Sequence, residues 1–217
     1  MSEESSQEAV ERRRATPEER RGQILDAAEA SVRRHGFHGA SMAEIALEAG
    51  LSVGQIYRYF DNKAAIVAAL VQRDKAELDE KFKAVETLDG DVLQACIALS
   101  GDVVERALDV RSAGLMLEVL AESARNPEVM AIVKAMEESD RDSALRTFAR
   151  LSQPGWTERG LATRLEMLSA FMEGLRVRAI FEPDLDRRFL AYLMGEAVRT
   201  VLTVDEPPTL RPGSSER

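Results

Sequence analysis

Residues 41–60 read SMAEIALEAGLSVGQIYRYF, and the fold is decided by how this stretch must coil. Ser41 followed three residues later by Glu44 is a capping box, in which hydroxyl and carboxylate each satisfy an amide left free at a helix start. A helix therefore begins at Met42. Gly50 follows about two turns on, where a helix that ends in the left-handed region needs a residue without a Cβ. Ser52 with Gln55 repeats the box, and a second helix is expected over residues 53–60. Only Gly50 and Leu51 separate the two, so they must cross steeply. That is the geometry of a helix-turn-helix unit, whose second helix is presented to the major groove of DNA.

The side chains agree with that geometry. Ile45, Ala46, Ala49, Leu51 and Ile56 supply the apolar and small groups needed between crossing helices. Gln55, Tyr57, Arg58 and Tyr59 fall on the second helix and Lys63 starts the next, giving amide, phenol and cationic donors suited to base edges and phosphates. Packing beneath the reading helix is the other duty open to Tyr57, and plain exposure the other open to Lys63.

The ordered set Gly36-Phe37, Ser41, Ile45-Ala46, Ala49-Gly50, Ser52, Gly54, Ile56-Tyr57, Tyr59-Phe60 and Lys63 resembles the fingerprint of the TetR/AcrR family of bacterial transcriptional regulators. The likeness is close over residues 20–74 and looser beyond. It implies an all-α protein of about nine helices, with an N-terminal three-helix DNA-binding domain and a C-terminal helical ligand-binding and dimerisation domain. Carried over residue by residue, it implies that Ser41, Ser52, Tyr57, Tyr59 and Lys63 touch phosphates while Val53, Gly54, Gln55 and Arg58 face the groove. Gln55 would suit adenine and Arg58 guanine or phosphate. Tyr59 departs from the histidine that many relatives carry there, which puts its phosphate role in question.

Composition points the same way. Of 217 residues, 45% are hydrophobic and only 5% aromatic, and the long segments carry apolar residues at three-and-four spacing, so an all-α chain is expected. The single cysteine, Cys96, excludes an intramolecular disulfide and a cysteine-cluster metal site. No cofactor is implied. No apolar run approaches the roughly 20 residues of a membrane span, and the acidic, polar N-terminus is unlike a signal peptide, so the cytoplasm is the expected compartment. The net charge of −9 is unevenly spread: residues 1–75 hold 11 Lys and Arg against 12 Asp and Glu, leaving −8 for the remainder. Residues 11–75 alone carry +2, and local charge over phosphates matters more than the global sign.

In chain order, residues 1–15 form a polar tail in which Arg12, Arg13 and Arg14 are either a minor-groove arm or a solvated charge run. Thr16, Pro17 and Glu19 start the first helix of a DNA-binding domain spanning 16–63, with its helix-turn-helix at 42–60 and Gly36 ending helix one. His35 and His38 flank that glycine without further ligands spaced to hold a metal. The body, 64–204, opens with a helix running from Lys63 without Gly or Pro to Gly90, a lever of about 30 Å. Helices are expected over 91–108, 112–124, 127–151, 158–181 and 185–203, and a polar tail over 205–217. The last two helices are apolar around much of their circumference, which suggests burial against a second partner, and Gly174 and Gly195 within them suggest close helix approach.

The resemblance implies that these two helices pair with those of a second copy, so that two reading heads address a palindromic double-stranded operator. It also implies a small-molecule effector pocket between the long helix and the next four. Met116, Asp140, Phe148, Trp156 and Phe171 are candidates to line it, although each also reads as ordinary core or surface. The function expected is that of a dimeric repressor released by its ligand. One rival is a DNA-binding adaptor of the same fold, a nucleoid or cell-division regulator whose body holds a protein. An enzyme is the other, disfavoured because no catalytic triad spacing, metal cluster or phosphate loop is present in the sequence.

Overall fold

The computed structural model describes residues 15–206, and within them the chain is helical throughout, without strands. The expected arm at Arg12, Arg13 and Arg14 lies outside the described residues. Each helix starts where the local chemistry asks. Thr16 caps α1 (Pro17–Gly39), Ser41 caps α2 (Met42–Glu48) and Ser52 caps α3 (Val53–Ile56), all three with complete capping boxes. Asn62 caps α4 (Lys63–Glu86), Asp91 caps α5 (Val92–Ala98), and α6 (Ser100–Ala107) follows after a break at Leu99. Asp109, Asn126, Thr157 and Asp186 cap α7 (Val110–Ser123), α8 (Pro127–Ala149), α9 (Glu158–Phe181) and α10 (Arg187–Val201). Counting α5 and α6 as one interrupted helix gives nine.

Four local expectations are corrected. Regular α3 ends at Ile56, and residues 57–60 continue as tighter turns, with Arg58 N–H bonded to Gln55 O (3.3 Å) and Tyr59 N–H to Ile56 O (2.8 Å). The single helix expected over 91–108 breaks at Leu99, because its two halves pack on different helices: α5 on α4 and α10, α6 on α9 and α10. The last helix is shorter than 185–203 at both ends, since Asp186 caps it and Leu202 closes it. Gly36 does end the regular part of α1, at φ 69°, but one further helical turn reaches Gly39.

Three apolar clusters hold the layers. The first joins α1, α2, α3 and the start of α4 to Leu115, Val119 and Val129, so the three-helix head shares its core with α7 and α8 of the body. The second gathers the end of α4, α5, Phe148 of α8, Leu161 and Leu165 of α9, and Leu202. The third ties α6 and the start of α7 to α9 and α10. Gly195 is buried at this last contact, where an added Cβ would come within 3.4 Å of Ile97 Cγ2, so the close approach expected there is present. Gly174 has no such neighbour within the protomer. No helix among the described residues is long and apolar enough to cross a membrane.

Glu206, expected in a polar tail from residue 205, is instead packed into the fold. Glu206 is buried against the start of α9, where its carboxylate accepts from Thr157 N–H (2.9 Å) and Thr157 Oγ1 (3.0 Å), an anion at the positive end of a helix. Arg164, about two turns further on, donates to Val201 O (2.5 Å) and Val204 O (2.7 Å) and lies 3.8 Å over the Trp156 ring. A Cβ at Gly160 would overlap the Glu206 carboxylate. Gly160→Ala should therefore destabilise the fold by about 1–3 kcal/mol despite alanine's higher helix propensity. Thermal unfolding checks this, and adding Glu206→Ala to the variant should recover part of the loss.

Candidate nucleic-acid interface

The reading unit is built from short-range bonds. Ser41 N–H donates to Glu44 Oε2 (2.8 Å) and Glu44 N–H to Ser41 Oγ (3.1 Å), and these bonds hold the Glu44 carboxyl below its ordinary pKa. Gly50 turns the chain at φ 64°, and Leu51 N–H closes back on Ala46 O at 2.9 Å. In α3, Ser52 N–H donates to Gln55 Oε1 (2.9 Å), Ser52 Oγ lies 3.1 Å from the same oxygen, and Gln55 N–H donates to Ser52 Oγ (3.3 Å). Ile45 and Ile56 are fully buried between the crossing helices.

This frame leaves one face of α3 open. Ser52, Val53, Gly54, Gln55, Tyr57 and Arg58 are exposed, as is Ser41 at the start of α2, so the structure brings these seven sequence candidates to the surface of one unit. Tyr57 is 50% exposed, which removes the reading in which it packs beneath the helix. Tyr59 is half-buried and packs on the head's core. An added Cβ at Gly54 would meet nothing within 4 Å, so no packing inside the protein requires a glycine there. Glycine inside a helix costs about 1 kcal/mol relative to alanine, and that cost is not offset within the protomer.

Two candidates sit differently from expectation. Lys63 is half-buried: its ammonium donates to Phe37 O (2.7 Å) and lies 4.3 Å over the Phe37 ring, and burial draws its pKa down against the opposing charges of Glu122 and Glu44. Gln55 has its amide oxygen engaged by its own cap, so Nε2 is the atom it presents outward. The two-pronged grip on adenine needs both oxygen and nitrogen, whereas a single donor suits an acceptor such as guanine O6 or thymine O4.

Supports from α1 were missed in the sequence. Arg21 Nη1 donates to Tyr59 O (2.9 Å) with its guanidinium 4.3 Å over the Phe60 ring, and Gln23 Nε2 donates to Ala49 O (2.6 Å), closing the C-terminal end of α2. Arg34 pairs with Glu48 at 2.5 Å. No sequence signal singles these groups out, because α1 carries other exposed polar residues such as Glu18, Asp26 and Arg33. Their partners are carbonyls with no residue-specific signature.

The five pocket candidates do not meet in one cavity. Met116 packs against the head-sharing cluster, while Phe148 and Trp156 belong to the second cluster. Phe171 is 39% exposed on the α9 face that also carries Met167, away from the body. Asp140 is exposed and forms an ion pair with Lys75 of α4. Cys96 is buried and its thiol pKa is pushed up to about 11 by that burial, the state of a packing residue. His38 is exposed and lies 3.8 Å from Glu122, and no group of metal-binding side chains is assembled among the described residues.

Two family models match the chain: "Bacterial regulatory proteins, tetR family" over residues 24–70, and "BetI-type transcriptional repressor, C-terminal" over residues 91–203. Among curated relatives, the HTH-type transcriptional regulator UidR of Escherichia coli K12 is 30% identical over 119 residues, 52% of this chain and 57% of that one. The match thus spans little more than half of the relative's length. Among solved structures, Salmonella enterica GusR aligns with a TM-score of 0.71 at 22% identity, covering 88% of this chain and 98% of that one. FadR from Bacillus subtilis, solved in complex with stearoyl-CoA, aligns with a TM-score of 0.67 at 18% identity, covering 84% and 97%. These likenesses bear on the fold.

Gln55 offers a test that separates folding from reading. Gln55→Glu retains a box-forming residue at the third helical position, so helicity and melting temperature should hold, while its acidic face should weaken duplex binding by at least about 1–3 kcal/mol. Circular dichroism and fluorescence anisotropy with labelled duplex check the two halves. Loss of helicity together with binding would show the cap, not the contact, to be what matters.

Proposed function

Because the chain belongs to the TetR family of bacterial regulatory proteins, we propose that it is a dimeric, sequence-specific DNA-binding transcriptional regulator, a repressor that a small-molecule ligand releases from a palindromic operator. The observation that carries this reading is the open face of α3, with exposed hydroxyl, amide, phenol and guanidinium groups on a unit whose other side is wholly buried. Ser41, Ser52, Tyr57 and Tyr59 are assigned to phosphates, and Val53, Gly54, Gln55 and Arg58 to the groove. Lys63 is assigned to a phosphate as well, with a prior duty to Phe37: it reaches DNA only by leaving that carbonyl, or it acts by positioning the loop before α2.

The partner copy is assigned to α9 and α10. Met167, Phe171, Ile180 and Phe181 stand exposed on α9, and Phe189, Tyr192 and Leu193 on α10, with the Phe189 and Tyr192 rings stacked at 6.3 Å. So large an apolar surface on two neighbouring elements favours a buried interface, and Gly174 lies among these groups with open space above it. Among the described residues, the exposed apolar groups elsewhere are Leu47, Val53 and Tyr57 on the DNA-reading unit and the scattered Leu88, Val110 and Val204, a pattern that favours the α9 and α10 face as the docking surface. A small molecule as effector accords with the stearoyl-CoA held by the similar fold of Bacillus subtilis FadR.

Two measurements test this. Tyr192→Glu combined with Phe171→Glu should convert the dimer to a folded monomer in sedimentation velocity, and a monomeric wild-type protein would overturn the assembly. Binding to the DNA beside the protein's own gene should fall steeply with salt, because phosphate contacts release counterions. A panel of anionic, neutral and cationic small molecules added to that complex should contain at least one that lowers affinity tenfold. Specific binding that no compound disturbs would remove the ligand from the proposal, and absence of specific binding would remove the operator.

A further inference from the structure

The three apolar clusters do not meet at the middle of the body. Along α4, Val71 belongs to the first cluster and Phe82 and Val85 to the second, and no residue between them joins any cluster. The half-buried groups of that interval include Asp74, Lys75 and Asp79, so a charged layer crosses the interior at this level. Most of its charges are matched. Asp74 accepts from Arg106 of α6 and from Ser112 Oγ (2.7 Å), and Lys75 pairs with Asp140 of α8 and Asp79 (3.6 Å).

Arg176 is the exception. It lies four residues after Met172 and three before Ala179, both packed in the third cluster, so it shares the body-facing side of α9 and is half-buried there. Its guanidinium makes no hydrogen bond or ion pair among the described residues, while the charges it feels come from Asp74 on α4, Arg106 on α6, Glu137 on α8 and Glu173 on α9. Arg106 is its like-charged neighbour and holds the Asp74 carboxylate for itself. Burial and Arg106 both draw the Arg176 pKa down, against the three acids. Burial together with Glu173, Asp140 and Glu166 pushes the Glu137 carboxyl up, which weakens one of those three counter-charges.

A half-buried guanidinium with five donors and no acceptor is costly, and a carboxylate presents the two parallel oxygens that match its fork. From this placement we infer that Arg176 is the anion-recognising group of the effector site, and that the effector is a small organic acid whose carboxylate docks on it within the charged layer. The inference rests on the ligand-released reading above and names its chemical class. The charged groups of this layer suit a ligand that carries further hydroxyl or carbonyl groups beside its acid.

The experiment pairs wild type with Arg176→Gln and Arg176→Met, all bound to operator duplex. The probes are carboxylates of graded size and polarity (gluconate, hexanoate, benzoate and a hydroxybenzoate), each with its matched amide or methyl ester, and an aliphatic ammonium series. Release of wild type by a carboxylate but not by its neutral match, with affinity for that acid lost at least about tenfold in both variants, is expected, as for a lost charge-assisted pair. Both variants should keep the dimer and the duplex affinity of ligand-free wild type, with a melting temperature no lower than its own. Release by neutral or cationic probes alone, or by an acid that both variants bind equally well, overturns the inference and leaves ligand control standing. Dissociation of the variants to monomers would assign Arg176 to a carboxylate of the second copy instead, and indifference to every probe would sink the ligand reading itself.

Discussion

The backbone of one residue, Phe37, is bonded to the body on both of its sides. Gly36, at φ 69°, turns the chain out of α1 so that Phe37 N–H meets Glu118 Oε2 of α7 at 3.0 Å and Phe37 O meets Lys63 Nζ of α4 at 2.7 Å. A side chain at residue 36 would be strained by that φ and would crowd the Glu118 carboxylate, whose oxygen lies 3.3 Å from the place of a Cβ. The loop before α2 is therefore positioned by both the body and the long helix at once. Asn62 bonded to Glu128 (2.6 Å), and Arg73 and Arg111 both paired with Glu29, tie α4, α7 and α8 to the head at further points.

Because the first apolar cluster runs from α1 through α4 into α7 and α8, the head cannot swing as a free unit about a loop. Any reorientation must carry α4 with it or break ion pairs whose members are partly exposed, and such pairs are individually worth about 1 kcal/mol or less. The packed core sets the resting angle of the head. The polar ties are the elements cheap enough to exchange.

Local chemistry was legible in the sequence and long-range choice was not. The boxes at Thr16, Ser41 and Ser52 depend only on residues three apart, and all three form; α9 begins and ends as its cap and breaker require. The end of α3 depends on Arg21, 38 residues away from the Tyr59 carbonyl it binds, and no periodicity encodes that. The break at Leu99 answers to the different helices its two halves meet, and the burial of Glu206 to the glycine of α9 that leaves room for it. Of the site residues, the exposed face of α3 followed from the pattern of buried Ile45 and Ile56. The bond from Lys63 to Phe37 and the engaged oxygen of Gln55 required coordinates, because a side chain with several possible partners shows none of them in the sequence. The aromatic and methionine candidates for the pocket are ambiguous for the opposite reason: apolar size is shared by core, interface and ligand site alike.

The middle of α4, residues 72–81, is rich in charge in the sequence. In the fold it is the level at which the body's core is interrupted, and it lies between the two clusters that α4 joins. A ligand that binds there acts on the one helix common to head and body, but binding alone moves nothing: the head shifts only by the difference in affinity between the two arrangements. A tenfold change in operator affinity needs about 1.4 kcal/mol of such difference. One charge-assisted pair formed in one arrangement and not in the other is of that size. The ties around Phe37 and Glu29 are weak enough to follow, so a single well-placed contact in the charged layer is sufficient for control, and a large remodelling of the core is not needed.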